Sequence, residues 1–143
     1  MIRTLLFASL LVAQGAFADT VLMKRQVTSG FVSPDHSFVK NCTIYQEGYA
    51  KITKRMGFGP TRRSFHRITP RRILEIDLFL QIAKFGPIVS AGVTCDGGNN
   101  IFTGYASGGK FPIDENHDCA SPLINKSVAT PSLKNWAMSA CGF

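Results

Sequence analysis

Acidic residues are scarce in this chain: nine Asp and Glu stand against sixteen Lys and Arg in 143 residues, a formal net charge of +7. That imbalance favours anionic partners such as an acidic polysaccharide, an anionic glycolipid, nucleic acid or an acidic protein surface, and it leaves the fold open. Long apolar runs are also missing. Beyond residue 18 no stretch supplies the ~18 to 20 uninterrupted apolar residues that a membrane span needs. The absence of Cys-x-x-Cys removes the paired spacing of a structural zinc site, and His117-Asp118-Cys119 alone does not replace it. No His-Glu-x-x-His, Gly-x-Ser-x-Gly or glycine-framed cysteine occurs, so the usual signatures of zinc proteases, serine hydrolases and cysteine proteases are lacking. There is no internal repeat and no low-complexity tract. Nothing in the sequence calls for a cofactor.

The N-terminal segment reads as an export signal. Arg3 forms a basic start, residues 5 to 13 are an apolar run, and Ala16-Phe17-Ala18 is a small-x-small cleavage site. Residues 1 to 18 are therefore expected to be a signal peptide, with the mature chain starting at Asp19. No cysteine follows the cleavage site to carry an acyl anchor. The expected mature chain keeps fifteen cations against nine acids and is one domain's worth of sequence, residues 19 to 143. A secreted or periplasmic location follows from the signal.

All four cysteines, Cys42, Cys95, Cys119 and Cys141, fall in that mature part. An even count in an exported chain reads as two disulfides, and four cysteines allow three pairings. The favoured one joins Cys95 to Cys119 across a loop rich in Gly, Asn and Pro, and Cys42 to Cys141, pinning the last helix to an early strand.

Residues 19 to 38 show no sustained period and read as a loose or strand-like lead-in. Alternation then begins: Cys42 and Ile44, a turn at Glu47-Gly48, Ala50 and Ile52, a second turn at residues 57 to 60, and a strand over residues 62 to 68. These form a three-strand antiparallel meander. Thr69 as N-cap, Pro70 at the first helical position, and Ile73, Ile76, Leu80 and Ala83 on one stripe predict a central helix that stops at Gly86-Pro87. Leu74, Leu78, Phe79 and Ile82 widen its apolar stripe. At least one further strand is expected near residues 100 to 107, then mostly loop from 108 to 129. A short helix follows, capped by Thr130, with Leu133, Trp136, Ala137 and Ala140 on one side. The fold class is thus α+β: a small antiparallel sheet packed by one central helix, with a disulfide-tethered C-terminal helix.

Residues 51 to 72 carry eight cations, Lys51, Lys54, Arg55, Arg62, Arg63, Arg67, Arg71 and Arg72, without a carboxylate. They are the expected binding residues for an anionic partner. Two-residue periodicity divides them between faces, and Arg71 and Arg72 oppose the helix macrodipole unless Glu75 pairs with them. A solvated basic edge that discourages strand-to-strand association is the plainer use of the same charges. Phe58 and Phe65 interleave with the cations as aromatics do on surfaces that bind single-stranded nucleic acid.

Four further patterns have smaller claims. Asp96, Asp114, Glu115 and Asp118 gather around Cys95 and Cys119 and, with Asn99 and Asn100, are weak calcium candidates; their spacing is not that of an EF-hand loop. Residues 104 to 111, GYASGGKF, imitate a phosphate-binding loop, but Phe111 replaces the hydroxyl and Pro112 the helix start, so a glycine-rich hairpin or loop is expected. Asn41-Cys42-Thr43 and Asn125-Lys126-Ser127 match the glycosylation acceptor, and Lys24-Arg25 matches a dibasic processing site. His36 beside Asp35 and His117 among acids also offer proton carriers, but His66, flanked by Arg63 and Arg67, is the best enzyme-like constellation, because a phosphodiester there would meet a proton carrier among cations.

The sequence therefore points to a non-catalytic secreted or periplasmic binding module with a basic face. Its alternatives are a small phosphodiester-type hydrolase using His66 and a loop-driven protein inhibitor or structural module.

Overall fold

A computed structural model describes residues 19 to 93, 95, 97 to 107 and 109 to 143. The expected signal peptide lies outside the described residues, as does Asp96. In chain order the elements are β1 (Val21–Ser29), a 3-10 turn (Pro34–His36), β2 (Phe38–Tyr45), β3 (Tyr49–Met56), β4 (Arg62–Arg67), α1 (Pro70–Ala83), β5 (Ile88–Ser90), β6 (Gly98–Ala106), β7 (Gly109–Asn116), β8 (Leu123–Asn125) and α2 (Thr130–Cys141).

The strands form one eight-stranded antiparallel sheet in the order β4-β3-β2-β1-β6-β7-β8-β5. The meander read from the alternation is β2-β3-β4, with Gly48 at a φ of 90° in its first turn, where a side chain would be strained. Helix α1 leaves β4 at one edge and delivers the chain to β5 at the other. Register shifts in β1 between Val21 and Met23, and in β7 between Pro112 and Asp114, opposite Thr103 and Phe102, add local twist to the sheet.

Both helices pack on the same face. Helix α1 lies over β1 and β6, and α2 over β1, β2, β3 and β7. The core between them and the sheet includes Met23, Ile44, Ala50, Ile76, Leu80, Phe102, Ile113 and Leu133, all buried. Gly104 allows close approach there: a Cβ at that position would stand 2.7 Å from the Phe111 ring and 2.9 Å from Leu80 Cδ2. Buried Asn125 ties the layers, its Nδ2 donating to the Ala83 carbonyl at the end of α1 at 2.8 Å. The disulfides join Cys42 to Cys141 and Cys95 to Cys119, with Cα atoms 5.7 and 4.2 Å apart. Among the described residues no helix is long and apolar enough to cross a membrane.

Several expectations require correction. The lead-in before residue 38, read as loose or strand-like, is in its first half β1, an inner strand of the sheet, so only the loose reading falls; a bulge interrupts its period-2 signal. The stretch from 108 to 129 holds β7 and β8, whose polar residues are kept in strands by pairing with β6 and β5. The sheet is carried by two helices side by side, so α1 is not a lone central helix. Its stripe is also narrower than expected: Ile73, Ile76, Leu80 and Ala83 are buried, whereas Leu74, Leu78 and Ile82 are 70%, 59% and 44% exposed. A helix laid on a sheet buries one side, and α2 flanks α1 along another, where Phe79 meets Trp136 with ring centroids 4.9 Å apart. Helix α2 is capped by Ala129, and Thr130 makes no side-chain cap bond.

Candidate anion-binding face

Directly paired residues of an antiparallel sheet share a face, so the register sorts the basic residues. On β3 and β4, Ala50 faces His66, Ile52 faces Ser64 and Lys54 faces Arg62, all on the helix side. The opposite, open face carries Tyr49 beside Arg67, Lys51 beside Phe65, and Thr53 beside Arg63. Arg55, opposite Val39, belongs to the same open face. The rows continue inward: Lys51 is opposite Thr43, and Thr43 is opposite Lys24 on β1.

The aromatic residues of this face form one group. Tyr45 and Tyr49 stack at 4.7 Å between centroids, and Tyr49 meets Phe65 at 6.1 Å in a tilted arrangement. Lys24 Nζ stands 5.4 Å from the Tyr105 ring farther along the sheet. Phe58, by contrast, lies in the turn between β3 and β4, 85% exposed. An open depression of about 730 Å³ runs beside this group, lined by Tyr49, Phe65, His66 and Arg67 among others. A second, of about 330 Å³, shares His66 and Arg67 and reaches Arg72 and Trp136 between the helices and the β4 edge.

Acids border the face at the β2-β3 turn. Glu47 Oε1 accepts from the Thr20 backbone N–H at 3.0 Å, and the Tyr49 hydroxyl donates to Asp19 Oδ2 at 2.5 Å. That bond to a carboxylate, more than the local loss of solvation, pushes the Tyr49 pKa up to about 12. The folded state thus holds the Tyr49 proton more tightly than an unfolded tyrosine near pH 10 does. Its stabilising contribution is complete below pH 10 and is lost as the pH rises through about 12. Absorbance titration should show one of the three tyrosines ionising about two pH units late, and Asp19→Asn should remove the delay; an unchanged late step in that variant would refute the assignment.

The remaining expected site residues are dispersed. Arg71 and Arg72 reach Glu75 at 3.1 and 2.8 Å, and the Arg72 guanidinium lies 4.8 Å from the Trp136 ring. These contacts account for two cations in the first turn of α1 without an external anion. His66 sits on the helix-side face while Arg63 and Arg67 sit on the other, and its Nδ1 is 3.1 Å from the Ala140 carbonyl. The carbonyl can only accept, so Nδ1 is the donor, and in the neutral ring Nε2 keeps its lone pair.

The calcium candidates are also engaged separately. Asp114 pairs with Lys134 of α2, Glu115 accepts from the Thr103 hydroxyl at 3.0 Å, and Asp118 Oδ1 accepts from the Gly97 N–H at 3.3 Å. No group of three or more His, Cys, Asp or Glu able to hold a metal occurs among the described residues. Within the GYASGGKF segment, Gly104 to Ala106 of β6 pair with Gly109 to Phe111 of β7. Asn125 is buried, which excludes a glycan on it in the folded chain, and buried Arg25 in β1 makes Lys24-Arg25 a poor processing site.

Sequence reasoning missed Lys24, Tyr45 and Tyr49 as members of the open face. The alternation of β2 and β3 already placed both tyrosines opposite the apolar positions; Lys24 needed the β1-β2 register. No family model matches the chain, and neither the curated proteins nor the solved structures give a significant match.

Proposed function

We propose that this chain is a non-catalytic binding module of an oxidising, extracytoplasmic compartment that holds an extended polyanion, an acidic polysaccharide or single-stranded nucleic acid, on the open face of its sheet. Two disulfides fit that compartment. The observation that carries the reading is the distribution of charge. Edge strand β4 would be guarded by its own arginines in any case, but Lys51 on β3 and Lys24 on β1 lie beyond the edge, in one cross-strand row with Phe65. Cations neutralise successive anionic groups, and Tyr45, Tyr49 and Phe65 offer faces on which sugar rings or bases stack. Retention on immobilised heparin should therefore fall steeply with salt. Weak retention, eluting at the salt expected for net charge alone, would overturn the reading.

The hydrolytic alternative draws support from the Ala140 carbonyl, which orients His66 with Nε2 available as a base. It requires phosphodiester cleavage that His66→Ala abolishes. The binding reading requires His66→Ala to retain full polyanion affinity.

A further inference from the structure

A second group of cations lies on the helix-side face, beyond the end of α2. Lys40 on β2 is directly opposite Lys54 on β3, and Lys54 is directly opposite Arg62 on β4. Like charges facing each other across neighbouring strands destabilise a sheet. No salt bridge to any of the three occurs among the described residues. In the adjacent row, Arg25 is opposite Cys42 and Phe102. The one carboxylate of that row, Asp114 opposite Phe102, is held by Lys134.

Arg25 is the unusual member. It is 8% exposed, and its Nε and Nη1 have no hydrogen-bond partner among the described residues. Burial pushes its pKa down from the ordinary value. Its guanidinium lies between two rings, 4.8 Å from the centroid of Phe102 and 4.9 Å from that of Phe143. Lys40 and Lys54 approach the same Phe143 ring at 5.7 and 5.6 Å. Cation-π attraction offsets part of the mutual repulsion, but a ring face accepts no hydrogen bond in the plane of the guanidinium, so the two donors stay unmatched.

We propose that Arg25, Lys40, Lys54 and Arg62 form a site for a compact oxyanion, the phosphate or sulfate group of a monoester, with Phe143 seated over Arg25 as a displaceable plug. An entering oxyanion neutralises the row of like charges and gives the Arg25 guanidinium a charged acceptor where it has none. Gly142, at a φ of 67° just after α2, is the pivot on which Phe143 turns aside. This site lies on the other side of the sheet from the polyanion face and stands independently of that proposal.

Inorganic phosphate is the probe, with the thermal midpoint of the purified protein as readout and chloride at equal ionic strength as reference. Phosphate at ten times its dissociation constant should raise the midpoint by about 5 °C over chloride. Lys54→Gln should give opposite changes in the two buffers. In chloride its midpoint should exceed that of the unaltered protein, because a facing like charge is gone; in phosphate most of the increment should be missing. Phe143→Ala should lower the phosphate dissociation constant severalfold by removing the plug. Short oligonucleotides with and without a 5′-phosphate, and disaccharides with and without a sulfate, then separate the sources: the pair whose charged member alone raises the midpoint identifies the ester. The proposal is overturned if phosphate adds nothing beyond chloride, if neither charged ester acts, or if Lys54→Gln lowers the chloride midpoint or keeps the full phosphate increment.

Discussion

Replacing Cys42 and Cys141 together by alanine should cost about 4 to 5 kcal/mol of unfolding free energy, a third or more of the ~5 to 15 kcal/mol that a domain holds. The two residues are 99 apart in sequence, so the bridge closes most of the chain and removes a correspondingly large share of unfolded-state entropy. It also fixes the end of α2 to β2, and α2 brings Leu133 and Ala137 into the core. The Cys95–Cys119 bridge spans 24 residues and joins loop positions outside that core. Its removal should cost less, about 3.5 kcal/mol at most by loop length alone. Urea unfolding of the two double-alanine proteins gives the order directly, and equal or reversed losses would contradict this division of labour.

The second large effect concerns binding. Lys51→Ala, Arg63→Ala and Arg67→Ala combined should reduce the salt dependence of polyanion binding by about two in the log-log slope, and the affinity near 0.1 M salt by roughly a hundredfold. A control must remove equal charge elsewhere: Arg71→Ala, Arg72→Ala and Lys126→Ala, from the first turn of α1 and the segment after β8. The control should lose far less, because Arg71 and Arg72 are occupied by Glu75 and Trp136. Neither set contributes to the core, so the open-face variant should unfold within about 0.5 kcal/mol of the unaltered protein. Fluorescence anisotropy with a labelled heparin fragment and with a labelled oligothymidylate measures both sets. Equal losses would show that net charge, not the open face, governs association.

The parts of the fold legible in the sequence are those whose signals are local. The β2-β3 hairpin shows in alternation, β4 in the turn at residues 57 to 60 before it, α1 in Thr69, Pro70 and its buried stripe, and the two disulfides in the Gly, Asn and Pro-rich loop closed by one and the helix-to-strand tether made by the other. Strand β1 showed only as a loose or strand-like lead-in because the shift between Val21 and Met23 buries Leu22 and Met23 in succession and hides the period. Strand β7 includes Pro112, Asp114, Glu115 and Asn116, poor strand formers whose conformation is imposed by β6 and β8. The basic stretch was visible as a linear run, yet chemistry depends on faces. Alternation sends Lys54 and Arg62 to the helix side, where Arg25 and Lys40 join them from strands outside the run. Only the pairing register reveals that second assembly, as it reveals Lys24 beside the open-face tyrosines.

The most direct test of the polyanion face is where ligand contact is felt. Side-chain NMR during titration with a short heparin oligosaccharide should shift the ring signals of Tyr45, Tyr49 and Phe65 and the ammonium-bearing methylenes of Lys24 and Lys51. The exposed methyl groups of Leu74, Leu78 and Ile82 on α1, on the opposite side of the sheet, should stay in place. Shifts confined to α1 or to the loops around Cys95 and Cys119, or none at all, would contradict the assignment of the open face.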